Sequence, residues 1–294
     1  MRRPAGRSPV AVIAGVAVIA VIAVTLLAWL RLDADGNAPQ RTTATMPALR
    51  AEVFQLRRDV VLSRVQVTVT NTRTQDIHVD RMQLVAPGFG PVPVVSTDAP
   101  ITPGLQVDLP TPYGTPRCDA APVGRPSVRL WVRTGGGPVE SVTLQPTDPD
   151  GTLGLIHARE CLARRLASEV RLSFGTQWRR EAAVDGVRLH GTLQARLLQP
   201  KLRRNVTQLA GTVIYSLAPE APGAPPLARL DASHPTAAIP VVVSVSRCDG
   251  HARGETKQPY AFLVWIAAPG GPEQALTMTV TPSDKAQLNL VCPL

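Results

Sequence analysis

The chain has 294 residues, of which 44% are hydrophobic and 18% charged, with 29 prolines and a formal net charge of +9 at pH 7. That length leaves room for two domains, each with a core of its own. The charge is moderate, and the arginines recur at alternate strand positions instead of gathering on a helix with interleaved aromatics, a pattern that argues against nucleic acid as a partner.

Val10 to Leu30 is one apolar run broken only by Gly15 and Thr25. As a helix it would be about 31 Å long, the thickness of a bilayer's hydrocarbon core. A cleaved secretory signal has a shorter apolar region and a small-x-small site after it, whereas this run ends in Trp29-Leu30-Arg31. The segment is therefore expected to remain as a transmembrane anchor over residues 10–30. Arg2, Arg3 and Arg7 precede it with no acidic residue among them, which places residues 1–9 in the cytoplasm and residues 31–294 outside. Arg2-Arg3 lacks the rest of a twin-arginine signal. Setting those three arginines aside lowers the net charge from +9 to +6. Such a surface concentrates polyanions, among them anionic lipid headgroups and acidic wall polymers.

Residues 31–45 show no apolar periodicity and read as a flexible stalk. Alternation dominates after it. Val61, Ser63, Val65, Val67 and Val69 are expected on one strand face, as are Val170, Leu172, Phe174, Thr176 and Trp178 on a second strand, and Val187, Leu189, Gly191, Leu193, Ala195 and Leu197 on a third. Shorter strands are expected at Ile77 to Val85, Leu105 to Leu109, Ser127 to Val132, Val139 to Leu144, Thr212 to Leu217, Pro240 to Ser246, Tyr260 to Ala267, Leu276 to Thr281 and Leu288 to Cys292. Proline and glycine clusters separate them. The fold class is thus all-β: two tandem antiparallel sandwich domains, 46–163 and 164–294, immunoglobulin-like in size but not necessarily in topology. The segment expected to be helical, Glu160 to Glu169, joins them.

The chain repeats itself around its four cysteines. Arg117-Cys118-Asp119 is followed by Val128-Arg129-Leu130-Trp131-Val132 and closes on Cys161; Arg247-Cys248-Asp249 is followed by Phe262-Leu263-Val264-Trp265-Ile266 and closes on Cys292. The cysteine spacings are 43 and 44 residues. Four cysteines allow three pairings, and a unit copied whole bonds within itself, so the expected disulfides are Cys118 to Cys161 and Cys248 to Cys292. Outside the cytoplasm such pairs oxidise. Cys248-Asp249-Gly250-His251 suggests a thiol metal site, but the matching Cys118-Asp119-Ala120-Ala121 has no histidine, so no metal is assigned.

The step from Cys118 to Trp131 is similar to the Cys to Trp step of immunoglobulin domains, yet long strand-like sequence precedes Cys118, while Cys161 and Cys292 end their copies. The bond is therefore expected to tie the last strand to an earlier one. Trp131 and Trp265 point away from the face made by their apolar neighbours and are read as packing residues, between the copies or under a loop.

Catalytic signatures are missing: there is no G-x-S-x-G, S-x-x-K, H-E-x-x-H or phosphate loop. The histidines His78, His157, His190, His234 and His251 do not match between copies, and most fall on strand faces or turns open to water. Asp148-Pro149-Asp150-Gly151 resembles the start of a calcium loop but lacks the remaining ligands, so it reads as an Asp-Gly turn. Asp119 and Asp249 are expected to cap turns. No cofactor is assigned.

The stretch from Ser246 through Arg247-Cys248-Asp249-Gly250-His251 to Lys257, running into Tyr260 to Val264, resembles a segment of uncharacterised actinobacterial single-pass envelope proteins with a late cysteine. Composition points the same way, since all but Lys201, Lys257 and Lys285 of the 31 basic residues are arginine. The first copy departs from the pattern at Ala120 to Gly124. The resemblance implies a location and a domain type and carries no known activity. The function expected is that of a non-catalytic, membrane-anchored, extracytoplasmic envelope protein binding a protein partner, anionic lipid or wall polymer. The alternative is an envelope hydrolase with dispersed acidic catalytic residues, since a carboxylate pair needs no local motif.

Overall fold

Alternating burial builds the first sheet. Its strands are β1 (Leu49–Phe54), β2 (Arg64–Asn71) and β5 (Gln106–Pro112), antiparallel in the order β1-β2-β5. Val65, Val67 and Val69 are fully buried on one face of β2. The second sheet has the order β4-β3-β6-β7, from β3 (Ile77–Val85), β4 (Val95–Ile101), β6 (Ser127–Thr134) and β7 (Val139–Leu144). Val79, Met82, Leu130 and Val132 join the valines of β2 in one buried cluster, so the two sheets face each other over a shared core.

The computed structural model describes residues 49–294 apart from Ala120, Asp185, Pro222 and Thr279. The expected cytoplasmic tail, anchor and stalk lie outside these residues. Among the described residues no helix is long and apolar enough to cross a membrane.

A second pair of sheets follows. One has the order β12-β14-β10-β8, made of β8 (Val170–Phe174), β10 (Gly186–Leu197), β12 (Tyr215–Pro219) and β14 (Thr236–Val245), with β9 (Arg179–Ala183) also paired to β10. The other has the order β13-β11-β15-β16, from β11 (Arg204–Ala210), β13 (Ala228–Leu230), β15 (Leu263–Ala267) and β16 (Gln274–Thr277). Leu189, Leu193, Val241 and Val264 are among the residues of their common core.

The pairings of the first half recur in the second in the same chain order. β1 with β2 and β2 with β5 correspond to β8 with β10 and β10 with β14. β3 with β4, β3 with β6, and β6 with β7 correspond to β11 with β13, β11 with β15, and β15 with β16. Strands β9 and β12 are additions of the second half. Trp131 on β6 and Trp265 on β15 occupy matching strands, each half-buried on the face opposite the core residues of its strand.

The structure corrects several expectations. Val61 belongs to a short helix, α1 (Arg57–Val61), and β2 begins only after Ser63, whose φ of 49° breaks the alternation that the sequence carries from Val61. The joining helix α2 runs Thr152–Glu169, earlier than Glu160, because the Asp148 carboxylate accepts hydrogen bonds from the Thr152 and Leu153 N–H groups at 2.6 and 3.1 Å and nucleates it. Helix α2 gives Leu153 and Ile156 to the first core and Leu166 to the second. Between β14 and β15 lies α3 (Gly250–Glu255). Leu288 to Cys292 is not a strand: α4 (Pro282–Leu288) ends there, started by Pro282 and a capping box of Thr281 and Asp284.

Both disulfides form within one copy, Cys118–Cys161 and Cys248–Cys292, with Cα atoms 5.4 and 5.7 Å apart. They do not tie a last strand to an earlier one. Each joins the segment after the fifth common strand to a C-terminal helical element: Cys161 lies within α2 and Cys292 just after α4. The first bond is backed by an aromatic group in which Phe89 meets Tyr113 and His157 edge to face, each at 5.5 Å, while a His157 ring nitrogen lies 2.9 Å from the Arg117 carbonyl. The second is backed by the buried Tyr215 hydroxyl, which donates to the Cys292 carbonyl at 3.1 Å.

Candidate functional site

The edge of the β10 sheet is broken in one place. Strand β8 pairs with Leu193 to Leu197 and β9 with Gly186 to His190, leaving Gly191 and Thr192 opposite the loop from Gly175 to Trp178. Gly191 stands at a core-side position between Leu189 and Leu193. A Cβ there would lie 2.6 Å from two atoms of the Trp178 ring, so the glycine is what admits the indole. Trp178 also meets Phe174 edge to face at 5.0 Å, which fixes one side of it against the core.

A recess of 810 Å³ opens at this break, lined by Thr176, Gln177, Trp178, His190, Thr192 and Gln287, with Arg179 and Glu220 at its polar end. His190 is paired in register with Arg179 on β9 and Val242 on β14, which sets these side chains on one face of the sheet. Its Nδ1 lies 2.7 Å from Glu220 Oε1. Its Nε2 lies 3.0 Å from Glu181 Oε2, in a geometry that makes an ion-pair contact and not an aligned hydrogen bond. Arg179 lies 3.1 Å from Glu181 and 3.8 Å from Glu220. The Arg179 hydrogen bond, aided by the field of His190, holds the Glu181 carboxyl below its ordinary range. One arginine and one histidine thus face two glutamates, and the imidazole occupies the space between the two carboxylates.

Of the residues singled out in the sequence, the four cysteines are brought together in their two pairs. Asp249 caps α3, accepting from Ala252 N–H at 2.9 Å, and this bond, with Arg247 nearby, holds its carboxyl below the ordinary range. Asp119 is exposed in a bend and has no such helix after it. His157 is buried in α2 rather than open to water. Trp131 lies outside the buried core cluster, and its strand neighbour Arg81 stacks over the ring with the guanidinium carbon 5.0 Å from the centroid. Among the described residues no cluster of histidine, cysteine and acidic side chains is arranged to hold a metal ion.

Sequence reasoning missed the recess. Glu220 lies in a proline-rich segment, and the alternation from Val170 to Trp178 reads as one regular strand although β8 ends at Phe174; the available signal is Gly191, a gap in an otherwise apolar face.

No family model and no curated protein matches the chain. Solved structures similar to it include the B domain of a biofilm-associated protein, at 9% identity and TM-score 0.19, covering 78% of this chain and 84% of that one. A protein of unknown function from Porphyromonas gingivalis W83 is 13% identical with TM-score 0.20, covering 79% and 99%. An exo-chitosanase from Amycolatopsis orientalis is 9% identical with TM-score 0.19, covering 77% of this chain and 26% of that one. Likenesses at these scores carry no information about function.

Proposed function

We propose that the chain is a non-catalytic, membrane-anchored binding protein of a bacterial cell envelope, with two tandem antiparallel sandwiches outside the cytoplasm and the recess beside β10 as its ligand site. The strand order supports the domain type, since sheets of three and four strands with this pairing follow the Greek-key scheme of immunoglobulin-like sandwiches. The two disulfides support an oxidising compartment. The single observation that carries the reading is the recess itself: Trp178 beside amide, hydroxyl and mutually paired ionisable side chains. A half-buried indole with planar hydrogen-bonding groups around it suits a neutral, polyhydroxylated chain such as a wall glycan.

The test is sedimentation of residues 46–294 with purified cell-wall glycan, comparing the native protein with Gln177→Ala and Glu220→Gln. We expect binding that weakens about fivefold or more in each variant, as loss of about one hydrogen bond implies. Unchanged binding would remove the recess from consideration. Release of reducing ends by the native protein, lost in Glu220→Gln, would instead favour the alternative of an envelope hydrolase.

A further inference from the structure

A second feature lies away from the recess, where α1 of the first half meets α3 of the second. Val60, Val61 and Leu62 are 38%, 38% and 57% exposed, and Val213 across from them is 52% exposed. In contrast to Val65, Val67 and Val69 just after them, which are fully buried, Val60, Val61 and Leu62 are three consecutive apolar residues turned to solvent. Their orientation is enforced from behind. Asp59, fully buried on the opposite side of α1, accepts hydrogen bonds from Leu56 N–H at 3.2 Å, Arg64 at 2.7 Å and Gln66 at 2.8 Å. The carboxylate pins α1 by one face, so the valines cannot roll inward.

The same corner is basic. A groove of 540 Å³ there is lined by Val60, Val61 and Val213, with Arg57 and Arg58 on one bank and Arg247, His251 and Lys257 on the other. Glu255 is the acidic residue of that lining. Asp249, 3.3 Å from Arg247, offsets one further charge. Arg57, Arg58 and Lys257 are exposed.

We infer that this corner docks on a membrane surface rich in anionic phospholipid headgroups. Apolar side chains at a fixed tip, ringed by guanidinium and ammonium groups, are the arrangement by which interfacial segments enter the headgroup layer while pairing with its phosphates. The length of chain before the structure favours this occupant over a soluble acidic protein. From Leu30, the end of the apolar run, to Leu49 the chain can reach about 60 Å when extended, and α1 lies only about 20 Å along β1 from that entry. A tether of that reach keeps the corner at a high effective concentration over the bilayer, so a weak contact suffices. The choice of occupant rests on the anchored reading proposed above and not on what occupies the recess.

Both cores and both disulfides lie within Ala48–Leu294, one compact unit, so residues 46–294 can be tested without the preceding segment. The experiment is co-sedimentation of this fragment with vesicles of phosphatidylcholine alone or mixed with phosphatidylglycerol, at low and rising salt. The expected result is binding to the anionic vesicles only, weakened by salt and reduced at least about tenfold in Arg57→Glu/Arg58→Glu. Leu62→Ser and Lys257→Glu, at exposed positions on opposite banks, should each reduce binding severalfold with no change in the thermal midpoint. Equal binding to both vesicle types, no binding to the anionic ones, or variants that bind like the native fragment would overturn the inference.

Discussion

Asp59 shows how a single buried side chain can organise a surface without leaving a trace in the sequence pattern. Burial pushes its carboxyl up, but the hydrogen bonds from Gln66, Arg64 and Leu56 N–H outweigh that and leave it below its ordinary range. A carboxyl lowered on folding adds stability that is present above its unfolded titration range and is lost as pH falls through the folded one. Asp59→Asn should therefore lower stability at neutral pH by about 2 kcal/mol and flatten the loss of stability on acidification below about pH 4. Denaturant unfolding in a pH series checks both, and an unchanged acid slope would show that other carboxyls govern it. Val65, Val67 and Val69 could be read from alternation because burial of one strand face repeats every second residue. Asp59 and its partner Gln66 could not. Gln66 sits on the polar side of the strand and is nevertheless 2% exposed, because α1 folds over that side.

At the scale of elements, the strongly alternating strands were legible, while β1, β4, β9, β11, β13 and the helix ends were not. Ile77–Val85 and Val139–Leu144 fall where alternation and flanking turn residues put them. The first half of α2 and the whole of α4 were hidden because their start signals are side-chain caps, Asp148 and the Thr281-Asp284 pair, ahead of short apolar spacings that period two can imitate. The disulfides act on these hidden elements. Each ties the segment after the fifth common strand to a helical element, closing a loop of 43 or 44 residues. Removing either bond by paired Cys→Ser substitution should destabilise its own half by about 4 kcal/mol in the chain-entropy model. Loss of Cys248–Cys292 should also release the tail that accepts the Tyr215 hydrogen bond, seen as a change in tyrosine near-ultraviolet dichroism. Unfolding curves for the two paired variants would settle the point: a bond whose removal leaves the midpoint unmoved would mean that packing alone holds its helix.

At the scale of the molecule, the duplication was visible in the sequence only where covalent and aromatic landmarks survive, from Arg117 to Cys161 and from Arg247 to Cys292. The earlier strands carry the same pairings with little residue identity, since any alternating apolar run satisfies a sheet interior. The recess was illegible for the opposite reason: it arises where the second half departs from the repeat, at the added strand β9 and the turn after β12. On the proposed reading, a ligand site at the irregularity of a duplicated scaffold also requires a defined location. The apolar run from Val10 to Leu30, with Arg2, Arg3 and Arg7 before it, leads to a specific expectation. If that run is retained as an anchor with its amino terminus inside, the protein recovered from membranes begins at or near Met1. Protease added to intact spheroplasts then removes epitopes placed after residue 31 and spares one placed before residue 10. A mature chain beginning near Ala34, found free of the membrane, would sink the anchored reading.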